Sequence, residues 1–120
     1  MTDKILVVDE DQILRGLYQT ELQEEGYRVT TAAGGHEAVD KLNHEGVDLV
    51  VLELELHDGS GLDYLQQLMN EKRNLKVIIN TDYPTYKMDF RSWAADAFLV
   101  KSSNLEELKE TVDTLLHKGE

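Results

Sequence analysis

The sequence has 120 residues, 41% hydrophobic and 30% charged, with 12 basic against 24 acidic side chains, a net charge of −12 and no cysteine. This length suits one domain with one sizeable core, and the composition is that of a folded soluble protein rather than a disordered one. The acidic balance repels phosphate backbones and anionic lipid, so no direct nucleic-acid or membrane binding is expected, and the missing thiols exclude disulfides and cysteine metal sites.

The run "KILVVD" reads as a first strand, rich in branched residues. "QILRGLYQTELQEEG" follows with helical spacing that places Ile13, Leu14, Leu17 and Leu22 on one face and Gly26 as the stop. "YRVTTA" is the second strand, and "GGHEAVDKLNHEG" a helix that opens on a plain glycine turn and closes at Gly46. "DLVVLEL" is the third strand, "GLDYLQQLMNEK" the next helix and "KVIIN" the fourth strand. A helix is expected over "PTYKMDFRSWAA", with Pro84 as its first residue and Trp93 in the core, because parallel strands need a crossover. "AFLVK" is the fifth strand, and "SSNLEELKETVDTLL" a last helix begun by a capping box of Ser103 and Glu106. The alternation predicts an α/β fold, a doubly wound five-stranded parallel sheet with helices on both faces, over residues 1–120 as a single domain. No apolar run has the length of a membrane span or secretory leader, and a cytoplasmic location is expected.

In such sheets, ligands bind beyond the carboxyl ends of the strands, where the strand order reverses. The predicted strands end in Asp9 and Glu10, in Glu53, in Asn80 and Thr81, and in Lys101. Crowded carboxylates raise each other's pKa unless a cation or ammonium is near, and hard oxygen ligands of this kind suit Mg²⁺. Lys101 and the Thr81 hydroxyl would then serve the remaining oxygens of a phosphate. Any one acid at a strand end is ordinarily just solvated; it is the complementary set from separate strands that points to a site. His36, His44, His57 and His117 lack metal spacing and read as surface residues, and Tyr83, Tyr86 and Phe90 as core or as a partner surface.

These blocks resemble the receiver domain of two-component response regulators along essentially the whole chain. "ILVVDEDQ" is similar to that family's first strand with its acidic pair, "VDLVVLELELHDGSGLDYL" to its third strand and following helix, "VIINTD" to the fourth strand with its Thr, and "ADAFLVKSSNLEEL" to the fifth with its Lys. The resemblance implies a phosphoacceptor at Glu53 with Thr81 and Lys101 beside it. It also implies Mg²⁺ held by Asp9, Glu10, Glu53 and the backbone carbonyl of Glu55, and a switch formed by Thr81 and Phe98. As partners it implies a sensor histidine kinase or phosphotransfer protein, and a downstream protein target on the surface running from Pro84 to Leu116. A homodimer is compatible with it. Such a chain would not be an independent enzyme, although receivers catalyse their own phosphotransfer and hydrolysis.

The departures from that pattern carry as much meaning. Glu53 stands where the family has Asp, one methylene or about 1.5 Å longer, and transfer chemistry is sensitive to such displacements. Asp82 replaces a small residue after the Thr, His57 and Ser102 replace prolines, and Ser60 stands where Asp is frequent. Three accounts of Glu53 stay open: a substitution made to imitate the phosphorylated state, a natural degenerate receiver serving as a constitutive interaction module, or a working Glu site. In the mimic, Glu53 would reach Lys101 and bias Thr81 and Phe98 towards the active arrangement. Two other classes fare worse. A Mg²⁺-dependent phosphatase with Asp9 as nucleophile lacks the expected hydroxyl and Gly after strand one, and a flavin carrier lacks a hydroxyl-rich loop there.

Overall fold

The apolar runs become strands in the computed structural model, which describes residues 3–117. In chain order the elements are β1 (Lys4–Val8), α1 (Gln12–Glu24), β2 (Arg28–Ala32), α2 (Gly35–His44), β3 (Leu49–Leu52), β4 (Glu55–Leu56), β5 (Gly59–Ser60), α3 (Gly61–Glu71), β6 (Lys76–Thr81), two 3₁₀ turns (Pro84–Met88 and Phe90–Ala94), β7 (Ala97–Val100) and α4 (Glu106–His117). Five strands form one parallel sheet in the order β2-β1-β3-β6-β7, and β4 with β5 makes a separate antiparallel hairpin that the sequence reading did not anticipate. The chain steps out from β1 to β2, then returns to the other side of β1 with β3, so the order reverses at the β1/β3 ends.

Alternation along these strands sorts their side chains to the two faces. Leu6, Val8, Val50 and Leu52 pack with Leu42 of α2 and Leu65 and Leu68 of α3. Ile5, Val7, Leu49, Val51 and Ile78 pack with Tyr18 and Leu22 of α1 and Leu108 and Val112 of α4. Full burial of each such aliphatic side chain contributes about 1.5–3 kcal/mol. β3 is therefore apolar throughout and β1 apolar after Lys4, as strands covered on both faces must be.

Helix α1 starts where Asp11 caps it, its carboxylate accepting from the Ile13 and Leu14 amides at 3.0 and 3.1 Å. Its buried stripe differs from the predicted one. Tyr18 and Leu22 face the sheet with Leu14 partly covered, whereas Ile13 is 83% and Leu17 43% exposed. The i, i+4, i+8 row through 14, 18 and 22 is one ridge, and 13 and 17 lie on the neighbouring ridge. The stop at Gly26 holds, with φ at +100°. Gly46 is not left-handed, however; α2 ends because Glu45 turns extended.

The start of α2 is capped from a distance. Asp58 accepts from the amides of Gly35 and His36 at 2.9 and 3.0 Å, and its backbone carbonyl takes the Tyr64 hydroxyl at 3.0 Å. Partial burial raises the Asp58 pKa, but the two amides and the charge of His57 outweigh it and hold the carboxyl below its usual range. A Cβ on Gly35 would run into the Tyr64 ring, so the glycine pair permits close packing as well as a turn.

Two further expectations are corrected. The crossover after β6 is not one helix: it is two 3₁₀ turns divided at Asp89, which is extended at φ −84° and ψ 118°. The Asp89 side chain captures the Arg91 amide at 3.0 Å and its carbonyl takes the Ser92 hydroxyl at 2.8 Å, a local competition with helix that short polar residues offer. The indole of Trp93, expected in the core, is 72% exposed, with Nε1 donating to the Lys87 carbonyl at 2.9 Å. Nor does α4 begin with a box of Ser103 and Glu106. Instead Asn104 Oδ1 accepts from the Glu106 amide at 2.9 Å, after Ser102 Oγ has accepted from Asn104 N at 3.1 Å.

Candidate functional site at the strand ends

Backbone bonds that continue the sheet past its strands position the site. Glu53 N donates to the Val8 carbonyl at 3.0 Å, Asp9 N to Ala32 at 3.1 Å and Lys101 N to Thr81 at 2.9 Å. Asp9, Glu53, Thr81 and Lys101 are thereby held at adjoining strand ends, and Asp9 and Glu53 are buried at 2% and 5% exposure. The turn after Glu53 is fixed from behind, where Gly61 N donates to the Leu54 carbonyl at 2.7 Å.

Lys101 is the centre of this set. Its Nζ lies 2.7 Å from Glu53 Oε1 and 2.8 Å from Asp9 Oδ2. Burial pulls the lysine pKa down, but contact with the two carboxylates and their charge more than offset it, and the ammonium is held above the usual lysine range. Glu53 Oε2 curls back to accept from the amides of Leu54 at 2.6 Å and Glu55 at 3.3 Å. Asp9 Oδ1 accepts from Asp11 N at 2.9 Å, while Asp9 Oδ2 has the ammonium as counter-ion and no well-directed hydrogen-bond donor.

The remaining predicted residues surround that centre. Glu10 is at the surface, its Oε2 3.8 Å from His57 Nδ1. The Glu55 side chain points to Tyr86, whose hydroxyl donates to Oε2 at 3.0 Å. That hydrogen bond, with burial adding to it, raises the Tyr86 pKa. Thr81 is fully buried, and its hydroxyl takes the Tyr83 amide at 3.4 Å rather than Glu53. Phe98 is half-buried against the α2/α3 core, with Lys87 Nζ 5.5 Å above its ring.

Hard oxygen donors of this type suit Mg²⁺, and Asp9 Oδ2 is a buried acceptor with capacity to spare. Their arrangement is another matter. Among the described residues no three Asp, Glu or His side chains converge as a ligand set, because the inner carboxylates have closed around Lys101. The residues are thus of the right kind but do not fit as a ready-made metal cage.

Two contributors escaped the sequence reading. Arg15 donates from Nη1 to the Asp9 carbonyl at 2.8 Å and bridges towards that of Glu10 at 3.4 Å, steadying the loop that carries both acids. Tyr86 reaches across the mouth to Glu55. For Arg15 a signal existed, since one helical turn past an N-cap points back at the preceding loop; for Tyr86 none did, because its position depends on the 3₁₀ turn.

Asp9, Glu53 and Lys101 thus meet at the reversal point of a five-stranded parallel sheet, with Glu10 at its rim. The chain belongs to the response regulator receiver domain family, whose model matches residues 5–113. It is similar to the response regulator TrrA of Thermotoga maritima, solved in complex with Mg²⁺–BeF, at 44% identity and a TM-score of 0.91 over 95% of this chain and 99% of that one. TrrA in complex with the histidine kinase ThkA matches at 44% identity and a TM-score of 0.90, over 96% of this chain and 99% of that one. The alkaline phosphatase synthesis transcriptional regulatory protein PhoP of Bacillus subtilis is 32% identical over 100% of this chain and 51% of its own length. The chain spans about half the length of the curated relatives it matches.

Proposed function

We propose that this chain is a receiver domain of two-component signalling that is not phosphorylated on Glu53 and acts through protein contacts. The observation that carries this reading is the Glu53 carboxylate lying on Lys101 at 2.7 Å, where it puts negative charge beside the lysine that a phosphoryl oxygen would otherwise meet. A monoanionic carboxylate has fewer acceptors than a phosphoryl group, so the imitation is partial. In keeping with that, Thr81 stays with the Tyr83 amide while Phe98 is already half-buried. In this reading Thr81 and Phe98 are the switch pair, Asp9, Glu10, Glu53 and the Glu55 carbonyl are the family's metal positions, and Mg²⁺ affinity is altered by Glu53.

A histidine kinase is the partner in the ThkA–TrrA complex, and an equivalent partner here would meet the exposed Ile13 and Leu17 beside the site. A downstream target would read the surface from Pro84 to Leu116, where Met88, Phe90 and Trp93 stand exposed. Exposed large apolar side chains gathered in one segment mark interaction sites more often than scattered ones do. Those three residues also support a second reading, a degenerate receiver serving as a constitutive interaction module.

Intact-mass measurement after incubation with Mg²⁺ and a small acyl phosphate tests the proposal. The chain as given should gain no phosphoryl group and Glu53→Asp should gain one. Gain by the chain as given, abolished in Glu53→Gln, would overturn the reading of Glu53; gain by neither would favour the constitutive module, with Asp82 and the other departures disabling the site.

A further inference from the structure

We propose that the groove between the 3₁₀ turns and β7 binds a small aromatic carboxylate, with the ligand's ring on the Trp93 indole and its carboxylate on the Lys87 ammonium. This site goes beyond the receiver reading and does not depend on it.

The crossover after β6 leaves a groove of about 430 Å³ lined by Lys87, Trp93, Ala95, Ala97 and Phe98. Small-ligand sites usually span about 300–1,000 Å³ and are walled by apolar and aromatic side chains with a few polar groups. The Trp93 indole is exposed yet held in place, because Nε1 donates to the Lys87 carbonyl at 2.9 Å. Its N–H is thereby satisfied, and what the indole offers a ligand is a ring face. Ala95 and Ala97 extend the apolar lining with little bulk.

Charge decides which ligand fits. The chain has 24 acidic against 12 basic residues, and Lys4, Lys41, Arg91, Lys101 and Lys109 each reach a carboxylate. Lys87 forms no ion pair among the described residues; its ammonium stands over the Phe98 ring, 5.5 Å from the centroid. The acids close to it in the chain are engaged elsewhere, Asp89 with Arg91 at 2.7 Å and Asp96 with the Val77 amide at 2.8 Å. Ser92, buried at the groove, gives its hydroxyl to the Asp89 carbonyl. The groove therefore presents one ammonium, with three donors, that has no anion to meet.

Two other ligand classes fit worse. Aromatic faces attract cations, but here a cation would meet Lys87 already standing over Phe98. A polyanion such as a nucleic acid is opposed by the net charge of −12. A single carboxylate on a flat ring avoids both penalties: the ammonium supplies a charge-assisted hydrogen bond, and the indole an offset-stacked or edge-on contact.

Titration of the isotope-labelled chain, followed by its amide resonances, tests this with three compounds. They are naphthoate, its uncharged counterpart naphthamide, and cyclohexanecarboxylate, which carries the charge without the aromatic ring. Naphthoate should shift the Trp93 indole N–H and the amides of Ala95, Ala97 and Phe98, and should bind about threefold more tightly than naphthamide, the order of an ion pair at a partly exposed rim. Lys87→Gln should abolish that preference. Trp93→Leu should weaken both naphthyl compounds by about fivefold, as loss of an aromatic contact does. Both substitutions fall on the surface, and the remaining amide spectrum of each variant checks that the fold is kept. No shift of these resonances at millimolar naphthoate would overturn the proposal. So would equal affinity for naphthamide, a preference that survives Lys87→Gln, or cyclohexanecarboxylate binding as tightly as naphthoate. None of these readouts involves phosphoryl uptake, so the groove and the unphosphorylated state of Glu53 stand or fall separately.

Discussion

Replacing Lys101 by Met is expected to lower the unfolding free energy by about 3–5 kcal/mol, the cost of leaving buried carboxylates without their counter-ion. Urea denaturation would register it as a lower midpoint at an unchanged slope. Asp9 and Glu53 are both nearly fully buried and both hold the same ammonium, so a single substitution strands two charges. Removing one acid as well, in Lys101→Met with Glu53→Gln, should recover part of the loss, because deleting both partners costs less than orphaning one. A double variant no more stable than Lys101→Met alone would show that Glu53 is not held by the lysine. The pH dependence follows from the raised lysine pKa. A group whose folded pKa lies above its unfolded value supplies its full stability below the unfolded value, 10.5 for lysine, and loses it as pH climbs through the higher folded one. The contribution of Lys101 should therefore be flat across neutral pH and decay only in strong alkali.

Gly61→Ala should cost about 1–3 kcal/mol or more, the range for forcing extra volume into a packed region, and should disturb the site as well. A Cβ there would lie 2.5 Å from the Leu54 Cα and closer still to the Glu53 carbonyl. Both obstacles are backbone, which cannot rotate out of the way as a side chain can. Relief requires the strand end that carries Glu53 to move, so the same variant should alter the amide resonances of Leu54 and Glu55, whose N–H groups hold Oε2. An unaltered midpoint with unshifted amides would mean that the turn behind Glu53 has slack that the packing does not suggest. The backbone angle of Gly61 is not the constraint here; closeness is.

What could be read ahead of the coordinates was whatever depends on one segment at a time. The runs of Val, Ile and Leu announced buried parallel strands because such strands have no polar face to show. Asp9, Glu53, Thr81 and Lys101 were visible because a strand end is also a place in space once the sheet is parallel. Errors arose where two signals of similar strength compete. The α1 face was misread because Ile13 and Leu17 are as apolar as the residues that are buried, and periodicity alone does not say which ridge meets the sheet. The crossover was misread because Asp89 diverts the chain into tight turns, a side-chain capture of one amide that outweighs the general need for a helix. Pairings such as Tyr86 with Glu55 and Asp58 with the start of α2 join residues 31 and 22–23 positions apart, and no local pattern encodes them.

The exposed indole has a consequence for how this protein reports on itself. Its one tryptophan sits outside the core, on the second 3₁₀ turn. Its emission is expected to lie close to that of a ring in water, so global unfolding should change its colour little. A partner that dries this face would shift the tryptophan light towards the blue, so this ring should report docking far better than denaturation.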